Sequence, residues 1–251
     1  MKKFPKATIA AFAAVALGYG FQAMRKPAVV VDPLIAGFQK TTVASVADAM
    51  DQVAGQRGFL THEMRPQTLQ GPAAKFVGRA KTALMRESTP EQASPTLSAK
   101  YSVEMIDTAD AGDVGIIVIE NGLDVAGLGG LMATAAKARG MAGILIDGGV
   151  RDVAEVRGLG LSVFARSVVP SSSVGRYATV ANGIAVKCGD VQVSPGDIIV
   201  ASEDGVVAVP KDRAMEVLKR ALEIDERESK MVPLIQKLKG LGKAVQQFNR
   251  I

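Results

Sequence analysis

The chain has 251 residues, 48% of them hydrophobic and 22% charged, with no Trp and a single Cys. That length allows one large domain or two small ones of ordinary globular composition, and the lone Cys188 excludes an intramolecular disulfide and a cysteine-built metal site. The net charge of +5 sits at the ends: nine basic residues and no acid in residues 1–26 and 237–251 leave 21 basic against 25 acidic residues between them, a net −4, so the body shows no sign of a nucleic-acid-reading face.

The amino terminus opens with Lys2, Lys3 and Lys6, and Ala7 to Phe21 is then almost wholly apolar. Fifteen such residues are short for a membrane span of about 20 and match the apolar core of an export signal. The expectation is a periplasmic protein, with this segment cleaved or retained as a membrane anchor; the alternative is an amphipathic extension on a cytoplasmic one. Residues 1–26 are therefore set apart, a catalytic domain is expected over 27–231, and residues 232–251 read as a basic tail.

Asp32-Pro33 is a helix start, with a capping carboxylate and Pro at the first helical position, for a helix through about Phe38. Thr41 to Met50 reads as a second capped helix, and Gly55 to Gln70 as irregular. Phe76 to Met85 has strand composition, with Gly78 marking a close backbone approach. Residues 86–112 are polar and mixed. Val114 to Ile119 is a continuous apolar run, as expected of a strand covered on both faces.

Gly127-Leu128-Gly129-Gly130 then opens a helix from Leu131 to Arg139, closed by Gly140, and Gly143 to Ile146 is the next buried strand. This is a βαβ unit. Further on, Leu161 to Ala165 is a short strand, Ile184 to Cys188 and Val191 to Val193 an antiparallel pair, and Ile198 to Ala201 with Val206 to Val209 a hairpin turning at Glu203-Asp204-Gly205. Arg213 to Met231 is expected to be an amphipathic helix, with Met215, Leu218 and Leu222 on its apolar face, Val217 and Ala221 widening it, and Pro233 ending it.

The chemistry is expected at the carboxyl ends of the parallel strands. The Leu131–Arg139 helix is about 13 Å long at 1.5 Å per residue, so the returning strand brings Arg151 and Asp152 back beside the free amides of Gly130, Leu131 and Met132. Helix amino termini attract anions, Arg grips a carboxylate with two parallel hydrogen bonds, and Asp is a hard oxygen ligand suited to Mg²⁺. The plainer reading is a surface turn with a local ion pair. His62, the only histidine, reads as a loop residue, Ser171-Ser172-Ser173 as a polar turn, and Cys188 as a small buried hydrophobe.

Gly129 to Gly140, Gly143, Ile146-Asp147-Gly148 and Val150-Arg151-Asp152 resemble the signature of the RraA-like proteins. Supporting matches are Ser45 to Ala49, Val77 to Thr82, Val163 to Ala165, Pro195-Gly196-Asp197 and Asp204-Gly205-Val206. Together they span roughly residues 33–225 in order. The family includes aldolases that cleave 4-hydroxy-4-methyl-2-oxoglutarate, oxaloacetate decarboxylases and the regulator of ribonuclease E activity.

The resemblance implies an α/β fold of the swivelling α/β/β/α sandwich type and a homotrimer or hexamer. It implies a metal-dependent (class II) lyase that releases pyruvate from a small 2-oxo acid by way of a metal-stabilised enolate. Arg151 would hold the substrate carboxylate, Asp152 would bind Mg²⁺ or Mn²⁺, and Gly130, Leu131 and Met132 would line the substrate, with the amides of Leu131 and Met132 cradling its pyruvoyl part. A non-catalytic regulator of the ribonuclease E inhibitor kind is the alternative. No nucleic-acid partner is expected, and membrane association would run through the amino-terminal segment.

Two positions depart from the family pattern. The aldolases carry Asp or Glu 21 positions before the Arg, where this chain has Gly130, and the family tends to carry Asp where this chain has Ser202. Without a carboxylate at position 130 to take the hydroxyl proton, decarboxylation is expected to survive better than aldol cleavage.

Overall fold

A computed structural model describes residues 32–248. The apolar stretch from Ala7 to Phe21 lies outside them, and among the described residues no helix is long and apolar enough to cross a membrane.

Helices α1 (Pro33–Phe38) and α2 (Val43–Ala49) come first. Asp32 accepts from the Leu34 amide at 2.9 Å and Thr42 from the Ser45 amide at 3.0 Å, so each helix starts on its sequence cap. A π-turn over Met50–Ala54 extends α2. Strand β1 (Arg65–Pro66) leads to the long β2 (Phe76–Glu87), then α3 (Lys100–Asp107), β3 (Val114–Ile119), β4 (Ala126–Leu128), α4 (Gly130–Arg139), β5 (Gly143–Val150) and α5 (Val153–Gly158). Next are β6 (Val163–Val168), β7 (Tyr177–Asn182), the pair β8 (Val186–Cys188) and β9 (Val191–Val193), the hairpin β10 (Ile198–Ser202) and β11 (Gly205–Val209), and helices α6 (Ala214–Leu238) and α7 (Gly242–Phe248).

The main sheet runs β1-β6-β5-β3-β2-β10-β11, with β4 added to β5 and β7 to β2. Its centre, β2-β3-β5-β6, is parallel. Strand β2 serves two neighbours along one edge: Phe76 to Arg79 pair with β10, and Ala83 to Glu87 pair with β7. At Gly78 a Cβ would stand 2.1 Å from the carbonyl oxygen of Gly112, so the strand passes too close to that turn for any side chain.

The two halves of the curled sheet face one another across one apolar cluster, from Phe164 and Leu145 through Ile116 and Leu84 to Ile199 and Val206, closed by Val186, Cys188, Val191 and Val193 of β8 and β9. Helices α3, α4 and α5 cover one outer face through Met105, Ile106, Ala133, Ala136 and Val156. Helices α1, α2 and α6 cover the other through Phe38, Val46, Val217 and Ala221. This is the α/β/β/α layering that the resemblance implied.

The carboxyl-terminal helix differs from the sequence expectation in extent and in face. It does not end at Pro233 but continues to Leu238, across the boundary expected between residues 231 and 232. Pro233 and Ser229 are both exposed, so the carbonyl that loses its helical donor can turn to water. The stop comes at Lys239, which takes a left-handed φ of 50° and is followed by Gly240. Met215 and Leu222 are exposed, while Ala214, Val217, Leu218, Ala221 and Ile224 are buried. Of the expected stripe Val217, Leu218 and Ala221 face the core, and Ala214 and Ile224 take the places expected of Met215 and Leu222.

Candidate functional site

Parallel pairing sets the site. Strand β4 lies along the end of β5, where Gly149 donates to the Val125 carbonyl at 2.9 Å and Arg151 to the Leu128 carbonyl at 3.0 Å. The chain leaves β4 through Gly129 into α4 and leaves β5 through Arg151 and Asp152 into α5. Two helix amino termini therefore emerge side by side at the carboxyl edge of the sheet.

The capping residue of α4, Gly129, offers it no side chain; Asp152 does so from across the turn, its Oδ2 accepting from the Gly130 amide at 2.9 Å. Asp152 holds a left-handed backbone conformation, φ 56° and ψ 33°, which Asp tolerates better than most residues. Its position is the N-cap of α5, yet its side chain makes no capping bond there. Arg151 Nε lies 3.6 Å from Asp152 Oδ2, and each of the two side chains is 42% exposed. An ion pair so placed contributes little to stability.

The two glycines at the start of α4 make this approach possible. A Cβ at Gly129 would lie 2.8 Å from both Arg151 Nε and Asp152 Oδ2. A Cβ at Gly130 would lie 2.5 Å from the carboxyl carbon and both oxygens of Glu155. The departure at position 130 thus has a spatial answer: the carboxyl group of Glu155, one turn into α5, fills the space a side chain at 130 would occupy. The expectation concerned the residue at position 130 alone; in the structure an acid reaches the same place from Glu155. Asp152-Val153-Ala154-Glu155 carried a signal for it, since an acid three residues after a capping Asp marks a helix start and shares its face.

Of the first α4 amides, that of Gly130 is taken by Asp152, while those of Leu131 and Met132 precede the first helical bond and remain open to an anion. Leu131 itself projects outward, 89% exposed. Arg151, Gly129 and Met132 line a cleft of about 110 Å³ with Ser98, Ser172 and Ser173. Ser98 and Ser173 are buried and share a hydrogen bond of 2.7 Å, so this serine run is partly wall and not only a turn.

Of the larger cavities, those of about 410 and 310 Å³ hold none of the sequence-predicted site residues, and one of about 170 Å³ takes Leu131 and Met132 but is otherwise walled mainly by apolar side chains. The first is walled by Arg57, Asp190, Asp197 and Lys211, but Asp197 spends its oxygens on the Ser194 and Lys211 amides. The second contains the exposed His62 and is mainly apolar. The small cleft is the better candidate because an arginine and open helix amides converge beside it.

Asp147 is occupied elsewhere: it accepts from Arg166 at 2.9 Å and from the Gly189 amide at 2.8 Å. Burial, together with the Asp147 carboxylate, pushes the Cys188 thiol well up, so it stays protonated as a small hydrophobe. Glu203 accepts from the Gly71 amide and builds the β10–β11 turn.

For a metal ion, the available donors are the carboxylates of Asp152 and Glu155. Among the described residues no group of three or more His, Cys, Asp or Glu side chains converges. Two hard oxygen donors suit Mg²⁺ or Mn²⁺, which are commonly held by one or two carboxylates, and do not make a dedicated protein cage.

A family model described as RraA-like, Aldolase/RraA, matches residues 43–208. An uncharacterized protein of Methanocaldococcus jannaschii is 38% identical over 115 residues, covering 46% of this chain and 55% of that protein, so the match spans about half of that relative. A protein of Halalkalibacterium halodurans named "putative 4-hydroxy-4-methyl-2-oxoglutarate aldolase" is 28% identical over 188 residues, 74% of this chain and 81% of the relative. Among solved structures, an uncharacterized protein from Pseudomonas syringae pv. tomato superposes with a TM-score of 0.73 at 26% identity, covering 84% of this chain and 96% of that one.

Proposed function

The chain belongs to the RraA-like family, and from that premise we propose that it is a divalent-metal-dependent lyase that cleaves a carbon–carbon bond of a small 2-oxo acid to give pyruvate. The observation that carries the reading is the convergence of Arg151, Asp152 and Glu155 on the amino terminus of α4.

Arg151, lining the cleft, takes the substrate carboxylate in a two-point grip. The Leu131 and Met132 amides and the helix dipole add positive potential for the same anion. Asp152 would hold Mg²⁺ or Mn²⁺, oriented by its bond from the Gly130 amide. When bound, the ion draws electrons toward the 2-oxo group and so favours the enolate over the intact bond. In aldol cleavage Glu155 takes the C4 hydroxyl proton as the C3–C4 bond breaks, and its electron pair passes to C3 of the departing pyruvate enolate. Decarboxylation of oxaloacetate has no hydroxyl proton to remove and does not call on Glu155. A homotrimer or hexamer belongs to the same reading, through the family resemblance.

The test is pyruvate release from oxaloacetate and from 4-hydroxy-4-methyl-2-oxoglutarate by the purified chain with Mg²⁺ or Mn²⁺, measured against the metal alone. Both reactions are expected, both abolished by a chelator, and Arg151→Lys should raise KM about tenfold or more because a point charge replaces a planar fork. No pyruvate above the metal background from either substrate would end this reading.

A further inference from the structure

We propose that the turn between α6 and α7 is a membrane-contact tip that docks on a bilayer surface rich in anionic headgroups. From the last residues of α6 to the first of α7 the chain reads Lys237-Leu238-Lys239-Gly240-Leu241-Gly242-Lys243. Leu238 and Leu241 are 39% and 48% exposed, and Lys237, Lys239 and Lys243 are exposed beside them. From Ser229 to Ile251 there are five basic residues and no acid. Among the described residues Lys230 is paired with Glu226, but no carboxylate pairs with the three lysines of the tip.

The arrangement has a physical use at a lipid surface. A lysine near an anionic leaflet gains about 1 kcal/mol, or roughly fivefold in affinity, so three give on the order of a hundredfold. Two leucines between them can leave water for the acyl boundary while the lysine stems keep their ammonium groups at headgroup level. A nucleic acid would pair with the lysines but leave both leucines in water, and the tip has no aromatic ring on which a base could stack. A second copy of this chain would bring the same uncompensated positive charge to the contact. The bilayer is the occupant that satisfies both the lysines and the leucines.

The full chain contains no Trp, so Leu241→Trp creates a single fluorescent reporter at the tip, with Leu238→Trp as a second. With vesicles of phosphatidylglycerol and phosphatidylcholine, the emission should shift to the blue and be quenched by bromine-labelled acyl chains. Adding Lys237→Gln, Lys239→Gln and Lys243→Gln should weaken that response roughly a hundredfold in lipid concentration, and raising the salt should weaken it too. The reporter reads the tip itself, so anchoring through the amino-terminal segment cannot imitate the result. Three outcomes would overturn the proposal: no shift with anionic vesicles from either reporter; an equal shift on pure phosphatidylcholine; or a shift produced by protein concentration or an oligonucleotide in place of lipid.

Discussion

Two aspartates in this molecule lie within a few residues after glycines, and both match the family pattern, yet their surroundings are opposite. Asp197, after Pro195-Gly196, is 5% exposed, and its two oxygens accept from the Ser194 amide at 2.7 Å and the Lys211 amide at 3.0 Å. It ties the β9–β10 turn to the residues leading into α6, and its burial keeps it from a ligand. Asp152, after β5, is half-exposed, accepts one amide bond, and stands between an arginine and the space that Glu155 fills. Residue type and motif membership are the same; the number of acceptor sites already used, and access to solvent, separate a structural clamp from a site.

Breaking each aspartate should give different failures. Asp152→Ala is expected to bring metal-dependent pyruvate release down to background, a loss on the order of 10³-fold or more in kcat/KM, while the thermal midpoint moves by no more than the worth of one capping bond, about 1 kcal/mol. Retained activity at limiting Mg²⁺ would put the metal elsewhere. Asp197→Ala should do the reverse. It strands the part-buried Ser194 and Lys211 amides and should lower unfolding stability by about 2 kcal/mol in urea titrations, with the folded fraction keeping native kcat. A stable but inactive Asp197→Ala protein would dissolve the distinction.

The comparison sharpens further at Glu155. Glu155→Gln should slow aldol cleavage by about 10²-fold, at the low end of general-base effects, and leave oxaloacetate decarboxylation within a few-fold of native. Equal loss of both would make Glu155 a metal ligand and not a base. The double variant Gly130→Asp with Glu155→Ala moves the carboxylate from one helix to the other and should recover most of the lost aldol rate. Gly130→Asp alone should do less, because the new side chain and the Glu155 carboxyl group compete for one space.

Much of the fold was legible because it rests on local rules. The caps at Asp32 and Thr42, the all-apolar β3, and the glycine close of α4 at Gly140 follow from residue type and spacing alone. The paired strands β8–β9 and the β10–β11 hairpin lay where alternation and turn residues put them. Strand β7 and helix α5 were missed: each is six residues long, too short for periodicity to distinguish from loop. The stripe of α6 was right at Val217, Leu218 and Ala221 and wrong at its edges, because Met215 and Leu222 are as apolar as Ala214 and Ile224, which take their places in the core.

For the site, sequence alone determined which residues arrive at the carboxyl edge of the sheet: a strand, a glycine-led helix and a returning strand must bring Arg151 and Asp152 beside the start of α4. It could not determine where their side chains turn. Asp152-Val153-Ala154-Glu155 has the spacing of residues that cap their own helix, and a local reading closes both acids onto α5. In the fold, α4 begins on two glycines and lacks a cap, and the parallel register of β4 and β5 puts its unsatisfied amides within reach. The Asp152 carboxylate goes to the Gly130 amide, and the Glu155 carboxyl group settles over the missing side chain of Gly130. That choice depends on an electrostatic demand from an element more than twenty residues away in sequence, which only the packed sheet brings into contact.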